Sequence, residues 1–163
     1  MVLVEIRQWI RQLILPDYLT ISGEIIIGSS DVKRLISLNS ETLTRVTKEA
    51  AFFRETYPYF KVKIDEGLHE ITIKLYAQQV RFVSQNFHFG FRQDLMLVLS
   101  RILESGDLSV RINIYGYIES NNTVESFRYL NKNDEVSYKV TKTEPVNSLF
   151  KMVCRKVGFL KEG

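Results

Sequence analysis

Apolar residues recur along this chain with two different periods. Between residues 2 and 14, Val2, Ile6, Trp9, Ile10 and Leu13 fall three or four apart, the spacing of one helical face, while Arg7, Gln8, Arg11 and Gln12 take much of the rest. Tyr18 to Ile27 is rich in β-branched residues and reads as a strand. Gly28-Ser29-Ser30-Asp31 then has the form of a helix start, with a serine to cap it and an acid for its positive end. A second helical run follows Asn39-Ser40, in which Leu43, Val46, Ala50, Phe53 and Tyr57 trace one face.

The period then changes to two. Lys61-Val62-Lys63-Ile64 alternates, Asp65-Glu66-Gly67 turns, and Ile71, Ile73 and Leu75 alternate with Thr72, Lys74 and Tyr76. Residues 70, 72, 74 and 76 therefore share one exposed face of mixed charge. Gln79 to Val83 reads as a further strand, Asp94 to Leu103 as a buried helix, and Leu108 to Ile118 and Thr123 to Leu130 as two strands of a meander. Val136, Tyr138 and Val140 mark its last strand, and a helix capped at Asn147 or Ser148 closes the pattern at Val157.

Strands and helices do not alternate one by one, which disfavours a doubly wound parallel sheet. The expected fold is α+β: a largely antiparallel sheet with helices mainly on one face. The order of elements also suggests a duplicated β-α-β-β plan, over residues 18–77 and again over 79–130. Two such units are the plan of gyrase-inhibitor-like effector-binding domains, and a curved sheet gripping a long helix is the rival plan; both are analogies of architecture with no shared motif. The expectation is one globular domain over residues 1–163, with residues 1–15 as an N-terminal docking helix and 145–158 as the closing helix.

Composition supports a real core: 45% of residues are hydrophobic and 25% charged. The formal charge of +3 is too small to single out a nucleic-acid binder. One cysteine, Cys154, permits no internal disulfide and reads as a small buried hydrophobe. Glu5, Arg7 and Arg11 interrupt the apolar start that a signal peptide needs, and no stretch has transmembrane length. The reading is a soluble cytoplasmic protein without membrane insertion.

Catalytic constellations fail one after another. Gly28-Ser29-Ser30 lacks the lysine of a Walker loop and the three glycines of a dinucleotide turn. His69 and His88 lie in different segments, so neither belongs to a pair spaced as metal ligands; no metal and no cofactor is expected. No glycine-flanked serine elbow occurs. No catalytic residue is assigned.

What remains is surface for contact. The stretch Asn86-Phe87-His88-Phe89-Gly90-Phe91-Arg92 concentrates rings, and reading it as a strand puts Phe87, Phe89 and Phe91 on one face, where either a slip turns them inward or a partner covers them. Phe89-Gly90-Phe91 echoes the aromatic strand of RNA-recognition motifs, but the flanking residues and the order of elements depart from that family. Tyr115, Tyr117, Phe127 and Tyr129 fall on neighbouring predicted strands. The expected function is therefore a small non-catalytic protein that binds a macromolecular partner, first of all a protein, through Phe87, His88, Phe89, Phe91, Arg92 and those four rings. One alternative is nucleic-acid binding through Lys151, Arg155 and Lys156 on a basic C-terminal helix. Another is small-ligand sensing in a cleft of the duplicated plan.

Overall fold

A computed structural model describes residues 17–29, 40–81, 86–120 and 123–145. They form strand β1 (Tyr18–Ser29), helix α1 (Ser40–Thr56), strands β2 (Lys61–Glu66) and β3 (Glu70–Arg81), helix α2 (Phe87–Leu103), and strands β4 (Leu108–Glu119), β5 (Thr123–Lys132) and β6 (Glu135–Pro145). The six strands make one sheet in the order β2-β3-β1-β4-β5-β6. Every neighbouring pair is antiparallel. The α+β expectation is met. Residues 79–81 continue β3 rather than open a new strand, and 82–85 lie outside the described residues, so the described strands do not establish the duplicated plan.

Alternation decides which way each strand turns its side chains. Leu19, Ile21, Ile25 and Ile27 of β1, Ile71, Ile73 and Leu75 of β3, and Ile112 and Ile114 of β4 form one buried layer. The helices cover that layer. In α1, Val46, Ala50 and Phe53 lie three and four apart and are fully buried. In α2, Phe87, Phe91, Leu95, Val98, Leu99 and Ile102 do the same. On β3 and β4 the intervening positions face away from the helices and are mostly polar or tyrosine.

Two polar staples join the helices. The Tyr57 hydroxyl, just past the end of α1, donates to Asp94 Oδ2 at 2.5 Å. The Arg101 guanidinium donates to the buried Glu49 carboxylate at 2.8 and 3.2 Å and lies 4.9 Å over the Phe52 ring. The staples join residues in opposite order along the two helices, so α1 and α2 run antiparallel where they meet. Glu49 is 5% exposed and would be a costly uncompensated charge without Arg101.

Two glycines let the central strands close up. A Cβ placed on Gly116 would fall 2.1 Å from the Thr20 carbonyl oxygen and 2.9 Å from the Phe127 ring. One placed on Gly23 would fall 2.4 Å from the Ile114 Cα. Irregularities lie on both sides of this seam: β1 and β3 shift register between Leu19 and Ile21, where Gln79 takes a positive φ of 47°, and β5 and β6 shift between Ser126 and Phe127.

Several expected boundaries move. Gly28 and Ser29 extend β1, opposite Ser109 and Leu108, and the helix expected after them, with Ser30 and Asp31, lies outside the described residues. Pro145 ends β6, opposite Thr123, instead of opening the closing helix. The expected helix at 1–15, and residues 146–158 of the expected closing helix, with Cys154, lie outside the described residues. The largest difference is α2. It begins at Phe87 rather than Asp94, so the aromatic stretch is its first turn and not a strand. Phenylalanines at 87, 89 and 91 imitate a period of two, yet Phe87 and Phe91 are one helical turn apart and continue the core stripe of Leu95, Val98 and Leu99.

Two substitutions test this packing. Gly116→Ala is expected to destabilise the protein by about 2 kcal/mol or more, because the clash is with backbone as well as a core ring. Phe91→Ala is expected to cost ~3–5 kcal/mol. Urea unfolding followed by circular dichroism measures both; a loss under about 0.5 kcal/mol at either position contradicts the packing described.

Candidate partner-binding face

The sheet divides the expected interface residues into two sets. Phe87, Phe91, Phe127 and Tyr129 point into the helix side and are 6%, 0%, 1% and 0% exposed. They belong to the core and meet no partner while the fold is intact. Arg92 Nε donates to the Val136 carbonyl oxygen at 2.7 Å and ties α2 to the edge strand β6. Phe89 is on the outer side of α2 and 70% exposed. Tyr115 and Tyr117 are on the side of the sheet away from the helices, and Tyr115 is 54% exposed. Lys151, Arg155 and Lys156 lie outside the described residues.

His88 sits at the edge of the core in an aromatic slot. Its ring stacks on Tyr138 with centroids 4.1 Å apart and meets Phe127 edge-on at 4.7 Å. Nδ1 lies 2.5 Å from the Tyr129 hydroxyl. Nε2 lies 3.5 Å from Glu125 Oε2 but has no formed hydrogen bond. A neutral tautomer with its proton on Nε2 accepts the phenol's hydrogen at Nδ1 and faces the carboxylate with the other nitrogen. Burial pushes the imidazole below its ordinary value, against the opposing pull of Glu125. Burial also pushes the Tyr129 phenol up, reinforced by Tyr138 and Glu125, so it stays protonated. Carboxylate, imidazole and phenol in sequence resemble a proton relay. The phenol at its end is fully buried, however, and packs against Phe91, Phe127 and Tyr138.

The open side of the sheet is organised differently. Register places Lys61, Tyr76, Ser22, Tyr115, Arg128 and Lys139 opposite one another in a single row that crosses all six strands. The next row holds Lys63, Lys74, Glu24, Asn113, Leu130 and Ser137. A hollow of about 560 Å³ opens over Ser22, Glu24, Lys61, Lys63, Lys74 and Tyr76. A second, of about 310 Å³, opens over Thr20, Tyr117, Ser126 and Thr141. Ser22 and Tyr115 line both hollows, so Tyr115 stands as the ridge between them.

Local chemistry fixes several of these side chains. Asp65 Oδ2 holds Lys74 at 3.2 Å. The Tyr76 hydroxyl donates to Gln78 Oε1 at 2.5 Å, which leans the ring along its strand. Arg128 donates to Asn113 Oδ1 at 3.2 Å and bridges the two rows. Among the described residues, no group of three or more His, Cys, Asp or Glu is placed to hold a metal ion, and no helix is long and apolar enough to cross a membrane.

The exposed stripe at 70, 72, 74 and 76 is one column of this open side, as alternation predicts. The rows are what sequence reading lacked, because they appear only once five strand registers are known. The lysines of β2 are visible in the sequence, but nothing there sets Lys61 in one row with Tyr115. No protein-family model, curated protein or solved structure matches this chain.

The partly buried His88 carries a pH prediction. Its folded-state affinity for a proton is lower than that of an unfolded histidine, near pH 6.5, so the unfolded chain takes up the proton first. The stability it contributes is fully present above that value and falls as the pH drops below it, by at most about 1.4 kcal/mol per pH unit for one proton. His88→Gln is expected to flatten that part of the stability profile between pH 7 and 5, measured by urea unfolding. An unchanged slope contradicts the burial described.

Proposed function

We propose that this protein is a non-catalytic binding module whose open sheet face takes a macromolecular partner. The observation that supports it is the Tyr115 ridge: a half-exposed ring between two hollows, flanked by polar and cationic side chains that the fold does not need for its core. Core packing accounts for the aromatic residues that face the helices. It does not account for Tyr76 and Tyr115, which are 39% and 54% exposed on the opposite side. Large rings held outward on a rigid sheet lose little conformational entropy on contact and bring large area to an interface.

The hollows are shallow and open between strands, which suits an extended partner better than an enclosed metabolite. Phe89, on the far side of the molecule, is a single exposed ring and adds no surface continuous with this face.

The test is affinity purification of the tagged protein from its native cell at physiological salt, beside a variant carrying Tyr115→Ala and Lys61→Ala. Both positions are exposed, so the variant is expected to keep its thermal midpoint within about 2 °C. The wild type is expected to recover a stoichiometric partner that the variant loses. Equal recovery by both proteins, or recovery of nothing by either, overturns the reading.

A further inference from the structure

We infer that the partner of the open face is a single-stranded nucleic acid, lying across the strands along the row from Lys61 to Lys139. The inference rests on the binding role proposed for that face and adds the chemistry of the occupant.

Charge is the first argument. The row Lys61, Tyr76, Ser22, Tyr115, Arg128, Lys139 contains three cations and no carboxylate. Adding the neighbouring row brings Lys63 and Lys74 and one acid, Glu24, for five cations against one carboxylate. Asp65, in the third row, neutralises Lys74. No ion pair is formed by Lys61, Lys63, Arg128 or Lys139 with another described residue. These two rows sum to +4 while the whole chain carries +3, so positive charge is concentrated along the rows themselves. Cations at both ends of the row, on β2 and β6, suit a ligand whose negative charge repeats along its length.

Ring placement is the second argument. Tyr76 and Tyr115 flank Ser22 across adjacent strands, which sets them two strand spacings apart, about 10 Å. That is too wide to clamp one base between them. It suits two bases, each stacked on its own ring, with Ser22 between. Six strands span about 24 Å from Lys61 to Lys139, room for about four nucleotides, the short end of known single-strand sites. Stacking needs exposed base faces, which a duplex hides within its own stack.

A protein partner fits less well. Interface centres are enriched in aromatic residues and arginine but depleted in lysine. Here three lysines, Lys61, Lys63 and Lys74, line the larger hollow, and Leu130 is the only large aliphatic residue in the two rows.

The experiment is fluorescence anisotropy of the purified full chain with labelled 12-nucleotide probes: oligo-rU, oligo-dT, a mixed-sequence duplex, and a poly-glutamate peptide as a polyanion without bases. Either single strand is expected to bind, with affinity falling as salt rises. Tyr115→Ala is expected to weaken that binding roughly tenfold. Lys61→Gln with Lys139→Gln is expected to lower the salt slope by about 1.4. Circular dichroism and thermal midpoints confirm that both variants fold. Duplex binding as tight as single-strand binding, unmoved by Tyr115→Ala, overturns the inference. So does binding of poly-glutamate alone, lost in the same variants; that result retains the open face as a binding surface and reassigns its occupant to an acidic protein. Binding of no probe overturns the nucleic-acid assignment, while recovery of a cellular partner that depends on Tyr115 would still uphold the face itself.

Discussion

The structure depends on one buried ring. Phe91 lies where both helices meet the sheet. Its centroid is 6.4 Å from Phe53 and 5.4 Å from Tyr57 of the first helical segment, 5.8 Å from Phe60 at the entry to β2, and 5.1 Å from Tyr129 on β5. Phe87 stacks on it from one turn earlier, at 5.2 Å. Each contact is a modest attraction, but together they join segments that are far apart in sequence. The helices rest on opposite halves of the sheet, α1 over β2 and β3, and α2 over β4 and β6. Phe91 is the side chain at which those halves share one interior.

Sorting by side follows from that. Once the helices occupy one face, every strand must send alternate residues away from them. The chain uses the helix side for most of its branched aliphatics and rings, and the other side mainly for Lys, Arg, Ser, Glu, Asn and the tyrosines Tyr76, Tyr115 and Tyr117. Gly23 and Gly116 bring β1 and β4 close together on the packed side, while Ser22 and Tyr115, one residue before each of them, sit opposite one another on the open side. The seam that packs the core therefore also sets Tyr115 as a ridge. The polar face is shaped by the same backbone as the interior.

How much of this was legible depended on range. Local periodicity showed both halves of the β2–β3 hairpin, the buried stripe of α1 and the meander, because in each the nearest neighbours in sequence carry the pattern. It failed at Phe87-His88-Phe89-Gly90-Phe91. There Phe89 faces solvent and imitates the alternation of a strand, and Gly90 weakens the helical signal. Reading four residues further, to Leu95, would have shown the spacing of 87, 91 and 95. Strand adjacency alone misplaces a second pair of rings for a related reason. Phe127 and Tyr129 neighbour Tyr115 and Tyr117 in the sheet yet point through it, since Tyr115 pairs with Arg128 rather than with a ring. A shift of one residue in register exchanges a core ring for an exposed cation. The candidate face was thus written in the sequence as columns, and only pairing between strands turns columns into rows.

The central position of β1 also shapes how the protein is made. Tyr18 pairs with Glu119 and Ile27 with Val110, so the middle strand of the sheet finds its second neighbour only after about 90 further residues have been synthesised. At translation speeds of about 5–20 residues per second, Leu19, Ile21, Ile25 and Ile27 wait for ~5–20 s with one edge open. During that interval β1 and the β2–β3 hairpin can form only half a sheet, whose unpaired edge carries Leu19, Ile21, Ile25 and Ile27. Until β4 arrives, the open edge of β1 stays available for pairing with any other strand.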